Sequence, residues 1–301
     1  MIRAVLLALT FALTSCAPQR TDPVQTMTWP DLLEQPRPAP TRRIEFSGGG
    51  VQNFAELWLP DAQGPHRTIL MVHGGCWQKE IADRTIMNYL ADDLRTRGYA
   101  VWNIEYRGID EEGGGYPGTF QDVARAADAL RDNAGAHNLD LSRVVAIGHS
   151  AGGHLALWLA ARPNLPSDSV LRSAAPLPIH TVITQGGMSD LIASRNAEGA
   201  ACGAEAVDRL TGAPTPTRAD VYADTNPARL LPLGVRQWVV NTEHDRIAPP
   251  WLGRAYFEQV ERAGDRVDFL VLPDAGHVEL IAPSTPVWSR QAEIIESLFA
   301  N

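Results

Sequence analysis

Val144-Val145-Ala146-Ile147-Gly148-His149-Ser150-Ala151-Gly152-Gly153 begins as an apolar run, turns on a serine and passes into the helix-like stretch Ala151 to Ala161. A short continuous apolar run fits a strand buried on both faces. The small residues flanking Ser150 fit a tight turn in which strand and helix approach closely. Gly148-His149-Ser150-Ala151-Gly152 matches G-x-S-x-G, and strand, turn and helix together are the context in which that pattern exposes a serine hydroxyl at the end of a sheet.

The same alternation extends in both directions. Arg43 to Phe46 and Phe54 to Leu59 read as two strands around Gly48-Gly49-Gly50, a hairpin at a sheet edge. Further short runs at 68–72, 100–104, 182–184, 237–240 and 267–272 alternate with helical stretches at about 80 to 97, 119 to 134, 251 to 263 and 285 to 299. This rhythm predicts an α/β fold, a doubly wound and mostly parallel sheet, in one domain over 28–301. Segment 191–234 breaks the rhythm and reads as a helical cap insertion over the site.

The chemistry gathers at the strand ends. His73-Gly74-Gly75-Cys76-Trp77 follows the strand at 68–72, where a glycine pair exposes main-chain N–H groups. Gly75, Cys76 and Ala151 are the expected oxyanion donors. His73 is expected to brace this loop, and Trp77 to wall the substrate pocket or pack under the loop. His277, in Asp274-Ala275-Gly276-His277 beyond the last apolar strand, is the expected general base for Ser150. Asp245, after the strand at 237–240, is the expected acid that orients the imidazole; Asp190, after the strand at 182–184, competes for that role.

The composition narrows the alternatives. Among the 301 residues, 26 Lys+Arg against 35 Asp+Glu give a formal net charge of -9, a field that repels nucleic-acid phosphates. The three cysteines, Cys16, Cys76 and Cys202, make no metal-binding spacing with the histidines, so a structural zinc site is not expected, and acyl transfer through Ser150 and His277 needs neither a metal nor an organic cofactor. Nothing in the sequence brings Cys76 to Cys202, and their pairing stays open.

Taken in order, HGG-x-W, GHSAGG, HD-x-x-x-P and AGH over residues 73–277 resemble the α/β-hydrolase superfamily, within it the branch of bacterial carboxylesterases and arylformamidases. The resemblance implies a serine hydrolase that cleaves small or medium carboxylic esters through an acyl-serine, with Ser150, Asp245 and His277 as triad. Arylformamidase, peptidase and a non-catalytic pseudo-hydrolase are the alternatives. Asn103-x-Glu105-Tyr106-Arg107 and Asn226-Pro227 also resemble this branch, as scaffold.

The N-terminus is a separate object. Arg3, the apolar run Ala4 to Leu13 and Leu13-Thr14-Ser15-Cys16 read as an export signal over 1–15, because ten apolar residues cannot span a bilayer core that needs about 20. Leu-x-Ser-Cys resembles a bacterial lipobox, which implies that Cys16 is lipidated and that the chain is tethered to a membrane, with Ala17 implying the periplasmic side of the outer membrane. Residues 16–27 form a Pro-rich linker. Thr28-Trp29-Pro30-Asp31-Leu32-Leu33, with a capping Thr and an early Pro, predicts a short helix packed on the domain.

Overall fold

The computed structural model describes residues 24–47, 52–199 and 202–300. The expected export signal, Cys16 and most of the expected linker lie outside the described residues, as do residues 48–51. Among the described residues no helix is long and apolar enough to cross a membrane.

Each expected strand and helix is present. The short helix α1 (Trp29–Leu33) is followed by β1 (Arg42–Glu45), β2 (Phe54–Trp58), β3 (His66–Val72), α2 (Asn88–Thr96), β4 (Ala100–Ile104), α3 (Gly118–Ala134), β5 (Leu139–His149), α4 (Ala151–Ala161) and β6 (Thr181–Gln185). The chain ends with α5 (Leu191–Asn196), α6 (Gly203–Thr211), β7 (Arg236–Thr242), α7 (Pro250–Ala263), β8 (Val267–Leu272) and α8 (Pro286–Phe299). The eight strands form one sheet in the order β1-β2-β4-β3-β5-β6-β7-β8. The first hairpin is antiparallel and sits at the edge; from β4 to β8 every pair is parallel.

Strand periodicity distributes the core. Leu70, Val72, Ala146 and Val239 face one side, under α3, α4 and α7, while Ile69, Met71, Val145, Ile147 and Val240 face the other, under α2 and α8. Both faces are thus covered, as a parallel sheet requires. Strand order reverses between β3 and β5. Open α/β sheets bind ligands at the carboxyl ends of such a pair; here those ends carry the Gly74–Trp77 loop and Ser150.

One helix starts later than expected. Residues 80–83 stay irregular, because Asp110 accepts the N–H groups of Lys79 and Glu80 at 2.8 and 2.9 Å, and Asp83 caps a 3-10 turn at Arg84–Met87 by accepting Thr85 N. At the N-terminus the expected linker is already docked at its last residue, since Met27 N donates to Glu279 Oε1 at 2.6 Å. Helix α1 follows as expected, with the Asp31 carboxylate accepting from Thr28 N at 2.7 Å.

Candidate active site

Ser150 sits between β5 and α4 with φ 55° and ψ −122°, a backbone region that costs a non-glycine residue roughly 1–3 kcal/mol and persists where the surroundings over-determine it. Those surroundings are main-chain hydrogen bonds: Ser150 N donates to Gln185 O at 2.9 Å, and Ser150 O accepts from Gly153 N at 2.9 Å and Met188 N at 3.2 Å. The flanking glycines are sterically required. A Cβ on Gly148 would stand 2.1 Å from Gly152 O, and one on Gly152 would stand 2.2 Å from Val72 O.

The loops after β7 and β8 bring Asp245 and His277 together. His277 Nδ1 lies 2.6 Å from Asp245 Oδ2, and Asp245 Oδ1 accepts Ile247 N at 2.8 Å and Ala248 N at 2.7 Å. Both side chains are buried. With Nδ1–H donated to Asp245, a neutral His277 carries its lone pair on Nε2, the nitrogen a general base uses. Beneath the pair lies Gly186, which sequence reading missed. Its φ is 55°, and a Cβ there would stand 3.0 Å from both Asp245 Oδ2 and His277 Nδ1. The signal was the Gly186-Gly187 pair directly after β6.

Ser150 and His277 are joined through His149. The His149 Nε2 donates to His277 O at 3.2 Å, and the two rings lie 4.3 Å apart. Burial first, then the neighbouring His277, pushes the His149 imidazole well down, which keeps it neutral. Among the described residues no hydrogen bond links Ser150 Oγ to His277 Nε2.

Asp190 has another task. It caps α5 by accepting Ile192 N at 3.0 Å, and it accepts Asn226 Nδ2 and Gln259 Nε2, each at 2.9 Å. Asn226 also accepts Leu191 N at 3.1 Å, which makes Asn226-Pro227 scaffold.

The loop after β3 has three successive residues with positive φ: Gly75 at 102°, Cys76 at 51° and Trp77 at 58°. The N–H groups of Gly75 and Cys76 make no main-chain hydrogen bond, and Ala151 N opens α4, where no intrahelical acceptor exists. His73 braces this loop. Its Nδ1 meets Gly74 O at 2.7 Å and its Nε2 meets Glu105 Oε1 at 2.8 Å, so both nitrogens face acceptors. Tyr106 stacks on the His73 ring and donates its hydroxyl to His73 O at 2.9 Å. Of the two roles expected for Trp77, the structure shows the one beneath the loop: it is fully buried, edge to face with His154.

Cys76 and Cys202 form a disulfide, with Cα atoms 5.2 Å apart. The sequence left this pairing open because nothing in it places the start of α6 against the β3 loop. Glu243, His244 and Asp274 offer ligand atoms within 4.8 Å of one another, and all three are exposed groups on the loops that carry Asp245 and His277.

The BD-FAE family profile matches residues 56–250, a stretch that contains Ser150, Asp245 and the β3 loop. The chain belongs to the BD-FAE family. Members of this family are α/β hydrolases of the carbohydrate esterase and carboxylesterase kind. Among curated proteins, the non-reducing polyketide synthase ausA of Aspergillus calidoustus is 33% identical over 169 residues, which cover 50% of this chain and 7% of that much longer protein. Among solved structures, a truncated carbohydrate esterase from gut microbiota superposes with a TM-score of 0.69 at 20% identity, covering 85% of this chain and 94% of that one. Esterase B from Lactobacillus Rhamnosis, in a structure with a tributyrin phosphonate, superposes with a TM-score of 0.72 at 18% identity, covering 88% and 87%. Its BD-FAE membership and these likenesses give the chain the α/β-hydrolase fold.

Proposed function

We propose that this BD-FAE protein is a serine hydrolase that cleaves carboxylic esters through an acyl-serine on Ser150. One observation carries the reading. A serine held in a strained turn at the end of β5 shares the carboxyl edge of the sheet with the unengaged N–H groups of Gly75, Cys76 and Ala151 and with a buried Asp245–His277 pair. In the first step Ser150 Oγ attacks the ester carbonyl carbon and its proton passes to His277 Nε2. The hydrogen bond between these two atoms is of the kind that can form only once substrate is bound. The oxyanion rests on the three N–H groups, the carbon–oxygen bond to the alcohol breaks, and the alcohol leaves with the proton from His277. Water then repeats the attack, releasing the carboxylic acid and restoring Ser150. Asp245 holds the imidazole in the tautomer that both steps need. The phosphonate on the Lactobacillus esterase supports a short acyl ester as the first substrate to try.

Intact-mass analysis after fluorophosphonate treatment tests this reading on wild type beside Ser150→Ala and His277→Ala. One adduct on wild type, absent from Ser150→Ala, is expected, with ester turnover well above formamide turnover. A folded wild type that takes no adduct overturns it. The same proposal keeps Cys16 as a lipid anchor on a bacterial membrane, tested by incorporation of a labelled fatty acid that Cys16→Ala abolishes.

A further inference from the structure

The disulfide joins two parts of the molecule with different tasks. Cys76 supplies one of the expected oxyanion N–H groups, and Cys202 is the residue that opens α6 in the insertion. Helix α6 reaches the same loop by a second route. Arg209 Nη2 donates to Ile109 O at 2.6 Å, and Ile109 N donates to Trp77 O at 2.7 Å. The two residues so clamped, Cys76 and Trp77, are consecutive non-glycine residues with positive φ. Such a conformation holds where the surroundings fix it. On the far side the loop is fixed through His73 and Glu105 and through Gln78 N, which donates to Gly75 O at 2.8 Å. On the near side the ties run to α6. Rotation of the peptide between Gly75 and Cys76 would turn the Cys76 N–H away from a developing oxyanion.

We infer that α6 is a positioning element of the oxyanion hole, acting through Cys202 and Arg209. The inference rests on the serine-hydrolase reading. Neither residue touches the reacting atoms; each holds the loop that does. A dithiol reductant that delivers two electrons and two protons to the Cys76–Cys202 bond, itself becoming a disulfide, would leave two thiols and one tie fewer on the loop. Turnover should then fall although every group that meets the substrate is still present.

The experiment compares oxidised wild type, wild type treated with dithiothreitol, Cys202→Ser and Arg209→Met. It reads kcat and KM for a p-nitrophenyl ester and the inhibition constant of a trifluoromethyl ketone of the same acyl length, whose adduct places an oxyanion in the hole. Near-UV circular dichroism reports the fold. The expected result is a kcat lower by between about tenfold and the hundredfold or more that loss of one donor costs, with KM little changed. The ketone should weaken in proportion to kcat/KM, and dithiothreitol should reproduce Cys202→Ser while leaving that variant itself unchanged. If Cys202→Ser does not fold, Arg209→Met and the reduced wild type supply the same readouts. Unchanged kcat and ketone affinity in the folded variants, with a normal Ser150 adduct on wild type, overturn this inference alone. Absence of that adduct on folded wild type overturns the underlying reading as well.

Discussion

Glu279 holds the loop that carries His277 and the N-terminal segment on one carboxylate: Oε1 accepts Met27 N at 2.6 Å and Oε2 accepts Gly276 N at 3.1 Å. Gly276 precedes His277. The segment that follows Met27 places the Trp29 ring edge-on to His277 and His149, at centroid distances of 6.5 and 6.1 Å. A cavity of about 830 Å³ lies between this segment, Trp29 included, and the loops of Asp245 and His277. The segment from Met27 to Trp29 therefore packs against the His277 imidazole, the proposed general base.

Loosening this strap should cost turnover. Trp29→Ala and Glu279→Gln are each expected to lower kcat on the order of tenfold, short of the hundredfold that about 1 Å of misplacement at a reacting centre can cost. Ester kinetics at saturating substrate check it. Wild-type kcat in both variants would reduce the segment to a spacer.

The two aspartates should separate cleanly. Asp245→Asn leaves the shape but loses the acceptor that fixes the His277 tautomer, and kcat should fall by about 10⁴. Asp190→Asn keeps an N-cap acceptor but sets an amide N–H against a neighbouring side-chain donor, so it should keep most of the activity and lose about 1 kcal/mol of stability, as a lost buried hydrogen bond does. Paired assays of turnover and urea unfolding decide it, and a severe loss of kcat in Asp190→Asn would contradict the assignment.

How much of this was legible beforehand depended on distance along the chain. The elbow at Ser150 is local, so apolar run, glycines and helix former suffice to read it. That His277 and Asp245 meet is legible because each follows a strand, and parallel strands deliver their C-terminal loops to one edge. The Cys76–Cys202 bond was not legible, because it depends on where α6 lands after two irregular segments. Trp29 was read as part of a packed helix, but nothing in its sequence says that it packs on His277. Asp190 looked catalytic because its strand end points to the same edge; only the position of Asn226 and Gln259 shows that its oxygens are already engaged.

His154 gives a pH dependence with a definite sign. It is fully buried, and burial pushes its imidazole down to about 4, against a smaller upward effect of the Thr225 carbonyl that its Nε2 contacts at 2.8 Å. An unfolded histidine titrates near 6.5. Between about 6.5 and 4 the unfolded chain binds the proton and the folded chain does not, so stability falls as pH falls across that window. The span corresponds to about 3 kcal/mol. His154→Gln should shed roughly one proton from the slope of unfolding free energy against pH. An unchanged slope would show that His154 is not kept neutral by the fold.

Glu105 is shifted in the same direction from a different cause, and it carries a heavier structural task. It is buried at the end of β4, where its carboxylate accepts from His73 Nε2 at 2.8 Å, Lys79 Nζ at 2.7 Å and Arg84 Nη1 at 3.1 Å. Burial alone would raise its pKa, but His73 foremost and then Lys79 reverse this and hold the carboxyl well below the usual carboxylate range. A depressed carboxylate stabilises the fold above its unfolded pKa, near 4.3, and that contribution drains away as pH falls below this value towards the folded one. Glu105→Gln leaves three donors facing one amide, and removal of one partner from a buried ionic cluster costs about 3 kcal/mol or more. The variant should therefore be destabilised at neutral pH, and its stability should decline less steeply than that of wild type below about pH 4, while the slope due to His154 remains. Its kcat should also fall, because His73 and the loop bearing Gly75 and Cys76 lose their anchor. Guanidinium unfolding from pH 3 to 8, run beside ester kinetics at pH 7, reads all three effects. Wild-type stability with wild-type kcat would remove Glu105 from the support of the oxyanion loop.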